Sequence, residues 1–82
     1  MNRMPKIGDI INFPVTKWKT ISFDGQMKYL REYEMFLVLD IIKDEFGSTW
    51  LHVFSFRHEN KQNWAIDPND TQYIKLISEA QP

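Results

Sequence analysis

Short apolar runs, separated by turn residues, dominate the chain and predict strands rather than helices. Turn signals recur at residues 13–14, 24–25, 46–48 and 67–70. Between several of these turns, apolar and polar positions alternate with the period of two that is typical of a strand. The pattern therefore predicts a small all-β domain of five short strands.

The clearest predicted element is a hairpin of residues 34–43 and 49–57, closed by a short loop that contains Gly47. In its first strand, one face carries Met35, Leu37, Leu39 and Ile41, and the other carries Glu34, Phe36, Val38, Asp40 and Ile42. In its second strand, Leu51, Val53 and Ser55 alternate with Trp50, His52, Phe54 and Phe56. Because both faces carry apolar groups, we expect a bent strand in a small barrel.

The remaining segments predict three further strands and one tight turn. Residues 6–13 predict the first strand, residues 63–67 the fourth and residues 73–77 the last. Pro68 starts a 3₁₀-like turn before the last strand. Residues 14–31 are predicted to form a long loop between the first two strands, and long loops in compact domains are often functional.

A helix over residues 24–46 is the alternative interpretation of the central segment. Met27, Leu30, Leu37 and Ile41 lie near one helical stripe. The β-favouring residues of this segment, and the spread of its apolar groups over more than one face, favour the strand.

The order of these elements resembles that of SH3-like β-barrels. Residues 7–11, the central hairpin, residues 64–70 and residues 73–77 carry the resemblance. The chain is also similar in size and style to the short SH3-like barrels that tailed bacteriophages encode, some of which act on host machinery. The resemblance implies a mainly β, five-stranded SH3-like barrel with a long first loop and a short 3₁₀ turn before the last strand. Residues 1–82 would form one domain, with its core at about residues 6–78.

Composition indicates what can stabilise this domain and in which compartment it is expected. The chain is 43% hydrophobic and 15% aromatic, which suffices for one compact core. It has no cysteine and only two histidines, so neither a disulfide nor a structural metal or other cofactor is predicted. Its longest apolar run is far shorter than the roughly 20 residues that span a bilayer, so a cytoplasmic protein without a membrane segment is expected.

The candidate catalytic groups do not form a convincing reactive set. The three glycines are isolated, which argues against a phosphate-binding loop. His52 and His58 have no obvious set of further metal ligands. Ser55 would point to the opposite face of its strand from both histidines, and Asp67 and Asp70 suit turn chemistry. A non-catalytic protein is therefore predicted.

Basic and aromatic residues interleave in the predicted long loop, and this is the strongest candidate binding feature. The predicted partner-binding residues are Lys17, Trp18, Lys19, Tyr29, Arg31, Tyr33 and Trp64. Charge is also divided along the chain, with a balance of +3 over residues 1–33 and −4 over residues 34–82. Such side chains can clamp an acidic protein surface or stack on bases, whereas the alternative is that the aromatics close one end of the barrel.

Three functional hypotheses follow. Near-neutral net charge favours a module that binds a larger protein, as an inhibitor or modulator of the phage-encoded kind would. A nucleic-acid-binding barrel of the Tudor or KOW type is the second hypothesis, and it predicts binding that weakens steeply with salt. The third is an accessory component of a larger assembly, joined through an exposed strand edge at residues 7–13 or 73–77.

Overall fold

A computed structural model describes the backbone of residues 3–20 and 27–81, and the side chains of residues 3–15 and 32–81. The described chain is mainly β, as predicted. Its strands are β1 (Ile10–Thr20), β2 (Met27–Lys43), β3 (Thr49–Ser55), β4 (Asn60–Ile66) and β5 (Lys75–Ser78), and a 3₁₀ helix spans Pro68–Tyr73. They form one antiparallel sheet in the order β4-β3-β2-β1-β5, and this sheet is not closed.

The first two strands have other bounds than predicted: β1 begins at Ile10 and not at residue 6 and ends at Thr20 and not at residue 13, and β2 begins at Met27 and not at residue 34. They pair in continuous register from Ile10 opposite Leu37 to Thr20 opposite Met27. The predicted long loop at residues 14–31 is therefore wrong for residues 14–20 and 27–31, and residues 21–26 lie outside the described residues. Residues 14–20 and 27–31 form strands because each residue pairs with one on the neighbouring strand. The pattern within a single segment does not show such pairing.

The central segment is a strand, so the alternative helix is wrong over Met27–Lys43. Its pairing with β3 confirms the predicted hairpin, because β2 ends and β3 begins at the predicted residues. Val, Ile and aromatic side chains fit the pleated, half-buried surface that two neighbouring strands provide here.

An irregularity in β2 changes which of its residues face the core. Glu34, Phe36 and Val38 are buried, as one predicted face requires. The register with β3 then shifts between Val38 and Asp40, and Ile41 lies opposite the buried Leu51 and packs against the core. The predicted grouping of Ile41 with Met35 on one face is wrong for this reason, since an extra residue in a strand reverses the alternation beyond it.

The core draws on four strands and the segment before β5. Its buried residues are Ile11, Val15, Phe36, Val38, Leu51, Val53, Ile66 and Ile74. The predicted alternation of β3 is confirmed, because Leu51, Val53 and Ser55 are the buried residues of that strand.

The 3₁₀ helix before β5 is confirmed, and its aspartates act as caps. The Asp67 carboxylate accepts a hydrogen bond from the Asn69 backbone N at 2.8 Å, and Asp70 accepts one from the Asp67 backbone N at 3.3 Å. Pro68 occupies the start of the helix, where its missing N–H is not needed. These contacts match the turn chemistry predicted for this pair.

The open edges of the sheet differ in part from those predicted. Residues 10–12 of β1 pair with β2 on one side and with β5 on the other, so this segment is not an exposed edge. The edge strands are β5, as predicted, and β4.

We expect Gly8→Ala to lower the free energy of unfolding by about 1–2 kcal/mol. Gly8 has a φ of +92°, and a Cβ atom there would lie 3.1 Å from the Ala80 Cβ. Gly47→Ala is the matched control, because Gly47 has a φ of +84° but no atom within 4 Å of the added Cβ. Urea unfolding of both variants should show the larger loss at Gly8. Equal losses would contradict a steric contribution from Ala80.

Candidate binding surface

Past the residues that pair with β3 and β5, the ends of β1 and β2 pair only with each other. We call this two-stranded part of the sheet, residues 16–20 and 27–31, the arm. In the described register, β5 pairs only with residues 10–12 of β1, and β3 pairs only with residues 36–43 of β2. The arm therefore continues the sheet as a ribbon. A fully extended β2 would measure about 55 Å, in line with the 51 Å longest dimension of the molecule.

Five of the seven predicted site residues lie on this arm: Lys17, Trp18, Lys19, Tyr29 and Arg31. Their side chains lie outside the described residues, so only their backbone positions are known. The register places Trp18 opposite Tyr29 and Lys19 opposite Lys28, and neither strand of the arm carries an acidic residue. Like charges at opposed positions disfavour strand pairing, and an anionic ligand would relieve that repulsion.

Trp64 lies at the open side of the core, next to the first residues of the ribbon. It is half-buried, with its ring 5.9 Å from Phe36 and 6.4 Å from Phe13, and its Nε1 donates a hydrogen bond to the Gln62 side chain at 3.0 Å. A groove beside it is lined by Phe13, Pro14, Val15, Trp64, Ala65, Asp70 and Tyr73. Trp64 therefore packs against the core and also lines this groove.

Tyr33 lies on the other face of the sheet and does not meet Trp64. It neighbours the buried Glu34 in β2, so its side chain projects away from the core, and it is 44% exposed. The Lys75 Nζ lies 4.3 Å from the centre of its ring. The structure thus separates these two predicted site residues.

A charged cluster, missed from the sequence, surrounds the buried Glu34. Its Oε1 lies 3.1 Å from the Arg57 Nη1 and 3.3 Å from the His58 Nε2, and Arg57 also contacts Glu32 at 3.3 Å. These partners come from β2 and from the turn after β3, and their meeting depends on strand register. The sequence signal for this cluster was Glu34 itself, an acid on the same face of the predicted strand as Phe36 and Val38. A buried acid needs a partner.

Ser55 contacts this cluster through the backbone of His58. Ser55 is fully buried, and its Oγ accepts a hydrogen bond from the His58 backbone N at 3.1 Å rather than from the imidazole. His52 is hydrogen-bonded to the Asn63 side chain. Within residues 3–20 and 27–81, no group of three or more histidine or acidic residues is placed to hold a metal ion.

No helix in the described part of the chain is long and apolar enough to cross a membrane. Comparison of the chain with protein-family models, with curated proteins and with solved structures gave no match.

Proposed function

We propose that this chain is a non-catalytic protein-binding module that binds an acidic protein surface through its arm. The observation that carries the proposal is the arm itself, a paired ribbon with Lys17, Lys19, Lys28 and Arg31 and no acidic residue. A ribbon holds basic and aromatic residues at fixed spacing, which lowers the entropy lost on binding compared with a loop. Complementary charge then speeds association and selects the partner.

The groove at the start of the ribbon adds an apolar contact to this surface. Phe13, Trp64 and Tyr73 line this groove. Val15 also lines it and is followed directly by the first residue of the arm. A partner segment that lays an apolar side chain in the groove and acidic side chains along the arm would use both. Aromatic side chains are frequent anchors of protein interfaces.

The SH3-like assignment and the likeness to phage-encoded modulators of host proteins belong to this proposal. The strand order β4-β3-β2-β1-β5 and the 3₁₀ helix before β5 support the SH3-like part. The projecting arm would then serve as the surface that docks on a larger protein.

The first experiment is affinity capture of the tagged protein from a cell extract, with and without nuclease, followed by mass spectrometry. One protein partner that survives nuclease supports the proposal. Loss of every partner after nuclease contradicts it.

With that partner, the Lys17→Glu/Lys19→Glu variant is expected to bind at least about tenfold more weakly, a difference of about 1.4 kcal/mol. Calorimetric titration at two salt concentrations measures it, and the loss should be larger at low salt. The matched control is Lys43→Glu/Lys61→Glu, which makes the same charge change at two exposed lysines outside the arm. Equal losses in the two variants would show that net charge, and not the arm, determines binding.

A nucleic-acid-binding barrel is the second candidate, and the shape of the arm favours it. A two-stranded ribbon is narrow enough to enter the major groove of DNA. This candidate predicts DNA or RNA affinity that falls steeply with salt, by a slope that shrinks when arm lysines are removed. Absence of binding to both nucleic acids at low salt would exclude it.

A further inference from the structure

An exposed aromatic group marks the loop between β2 and β3, at the end of β2 opposite the arm. Phe46 is 85% exposed there, and Ile42 and Trp50, which lie opposite each other in the register, are also exposed. We call residues 42–50 the tip. A cluster of exposed apolar side chains at a loop is typical of an interaction surface.

The tip is held rigid by one carboxylate. Asp44 accepts hydrogen bonds from the backbone N of Phe46 and Ser48, both at 2.9 Å, and from the Trp50 Nε1 at 3.0 Å. The Trp50 hydrogen bond, aided by backbone donors, holds the pKa of the Asp44 carboxyl below its usual range, so the group stays charged at neutral pH. Phe46 is therefore displayed on an ordered loop, which loses little entropy on binding.

The surroundings of the tip are acidic. Asp44 and Glu45 belong to it, and Asp67 and Asp70 line a groove that runs from the tip to the 3₁₀ helix, with Lys43 as the one base among these five groups. The arm at the other end of β2 has four basic residues and no acid. The two ends of one molecule are thus complementary in charge, and each also carries aromatic residues.

We propose that the tip of one molecule docks on the arm of a second copy, in a head-to-tail contact. Phe46 and the acids around the tip would meet the basic and aromatic positions of the arm. The two surfaces lie at opposite ends of an elongated molecule, so the contact leaves a free arm and a free tip and can extend into a chain or a ring. The inference rests on the proposed function, because it uses the arm as a receptor for acidic surfaces.

Sedimentation velocity of the purified full chain tests the contact. The average mass of the wild type is expected to rise with protein concentration and to fall with added salt. Phe46→Ser and, separately, Lys17→Glu/Lys19→Glu should each weaken self-association at least about tenfold. Phe56→Ser, which removes an exposed aromatic outside both surfaces, is the matched control and should associate like the wild type.

Mixing the two weakened variants gives the decisive result. Phe46→Ser keeps an intact arm, and Lys17→Glu/Lys19→Glu keeps an intact tip, so together they should form a one-to-one complex that cannot grow. A contact between like surfaces gives no such complex, and that outcome overturns the proposal, as does a wild type that stays monomeric at every concentration. If the arm variant loses the captured partner while the wild type is monomeric, only this inference fails, and the proposed function stands.

Discussion

Replacing Phe36 by alanine is expected to lower the free energy of unfolding by about 3–5 kcal/mol. Phe36 is 2% exposed, sits in the middle of β2 and has its ring against Trp64. Its removal leaves a cavity that three strands surround, in a domain whose whole stability is expected to be of order 5–15 kcal/mol. Urea unfolding followed by tryptophan fluorescence measures the loss as a lower midpoint concentration of urea.

Met35→Ala is the matched control for this prediction. Met35 precedes Phe36 in β2 and lies on the opposite face, 41% exposed. Its truncation is expected to change the free energy of unfolding by less than about 1 kcal/mol. Phe36→Leu should fall between the two variants. Similar losses for Met35→Ala and Phe36→Ala would contradict the burial assigned to the two faces of β2.

The second large effect is expected at Asp9, whose carboxylate ties the two terminal segments together. The side chain is fully buried, and it accepts hydrogen bonds from the backbone N of Lys6 and of Ala80, both at 2.8 Å. Asp9→Ala leaves both donors without this acceptor and should lower the free energy of unfolding by about 2–4 kcal/mol. Hydrogen exchange at the Ala80 amide should also increase, because the C-terminal segment loses its attachment.

Asp40→Ala is the control for this result. Asp40 is an exposed aspartate whose Oδ1 accepts a hydrogen bond from the backbone N of its neighbour Ile41. Its removal should change the free energy of unfolding by no more than about 0.5 kcal/mol. If Asp9→Ala were equally mild, the carboxylate would not connect the termini.

The contribution of Asp9 should also depend on pH. Burial raises the pKa of its carboxyl, but the hydrogen bonds from Lys6 and Ala80 and the positive charges of Arg3 and Lys6 outweigh this effect and hold the pKa below the usual 3.8. A carboxyl with a lowered folded-state pKa stabilises the protein fully above its unfolded-state pKa, and this stabilisation is lost as the pH falls through the folded-state value. In Asp9→Asn this acid-dependent loss should be absent, and urea unfolding between neutral pH and pH values below 3.8 tests it.

The hairpin of β2 and β3 could be predicted because all of its signals are local. Gly47, the acidic turn and the alternation of Leu51, Val53 and Ser55 lie within one short stretch, and strand register follows from loop length. The 3₁₀ helix was predictable for the same reason, since Asp67, Pro68 and Asp70 form its cap among themselves.

The arm could not be predicted, because its evidence is divided between two segments. Residues 16–20 and 27–31 carry mixed polar, basic and aromatic groups without a clean alternation, and each becomes a strand by pairing with the other. The irregularity after Val38 is similar, since it is a property of two paired strands and changes the face of Ile41 without any turn residue at that point. Five of the predicted site residues were therefore assigned to a loop, whereas the structure places them in paired strands.

By itself, the sequence determined the β class, the number of strands and the central hairpin, because apolar periodicity and turn chemistry act between near neighbours. Tertiary structure decided that Tyr33 and Trp64 lie on opposite faces, that Glu34 meets Arg57 and His58, and that the basic arm and the acidic tip stand at opposite ends of β2. These outcomes depend on register and on cross-strand hydrogen bonds between distant segments. Such contacts form only when the whole sheet assembles, since each strand needs its neighbour to satisfy its backbone groups.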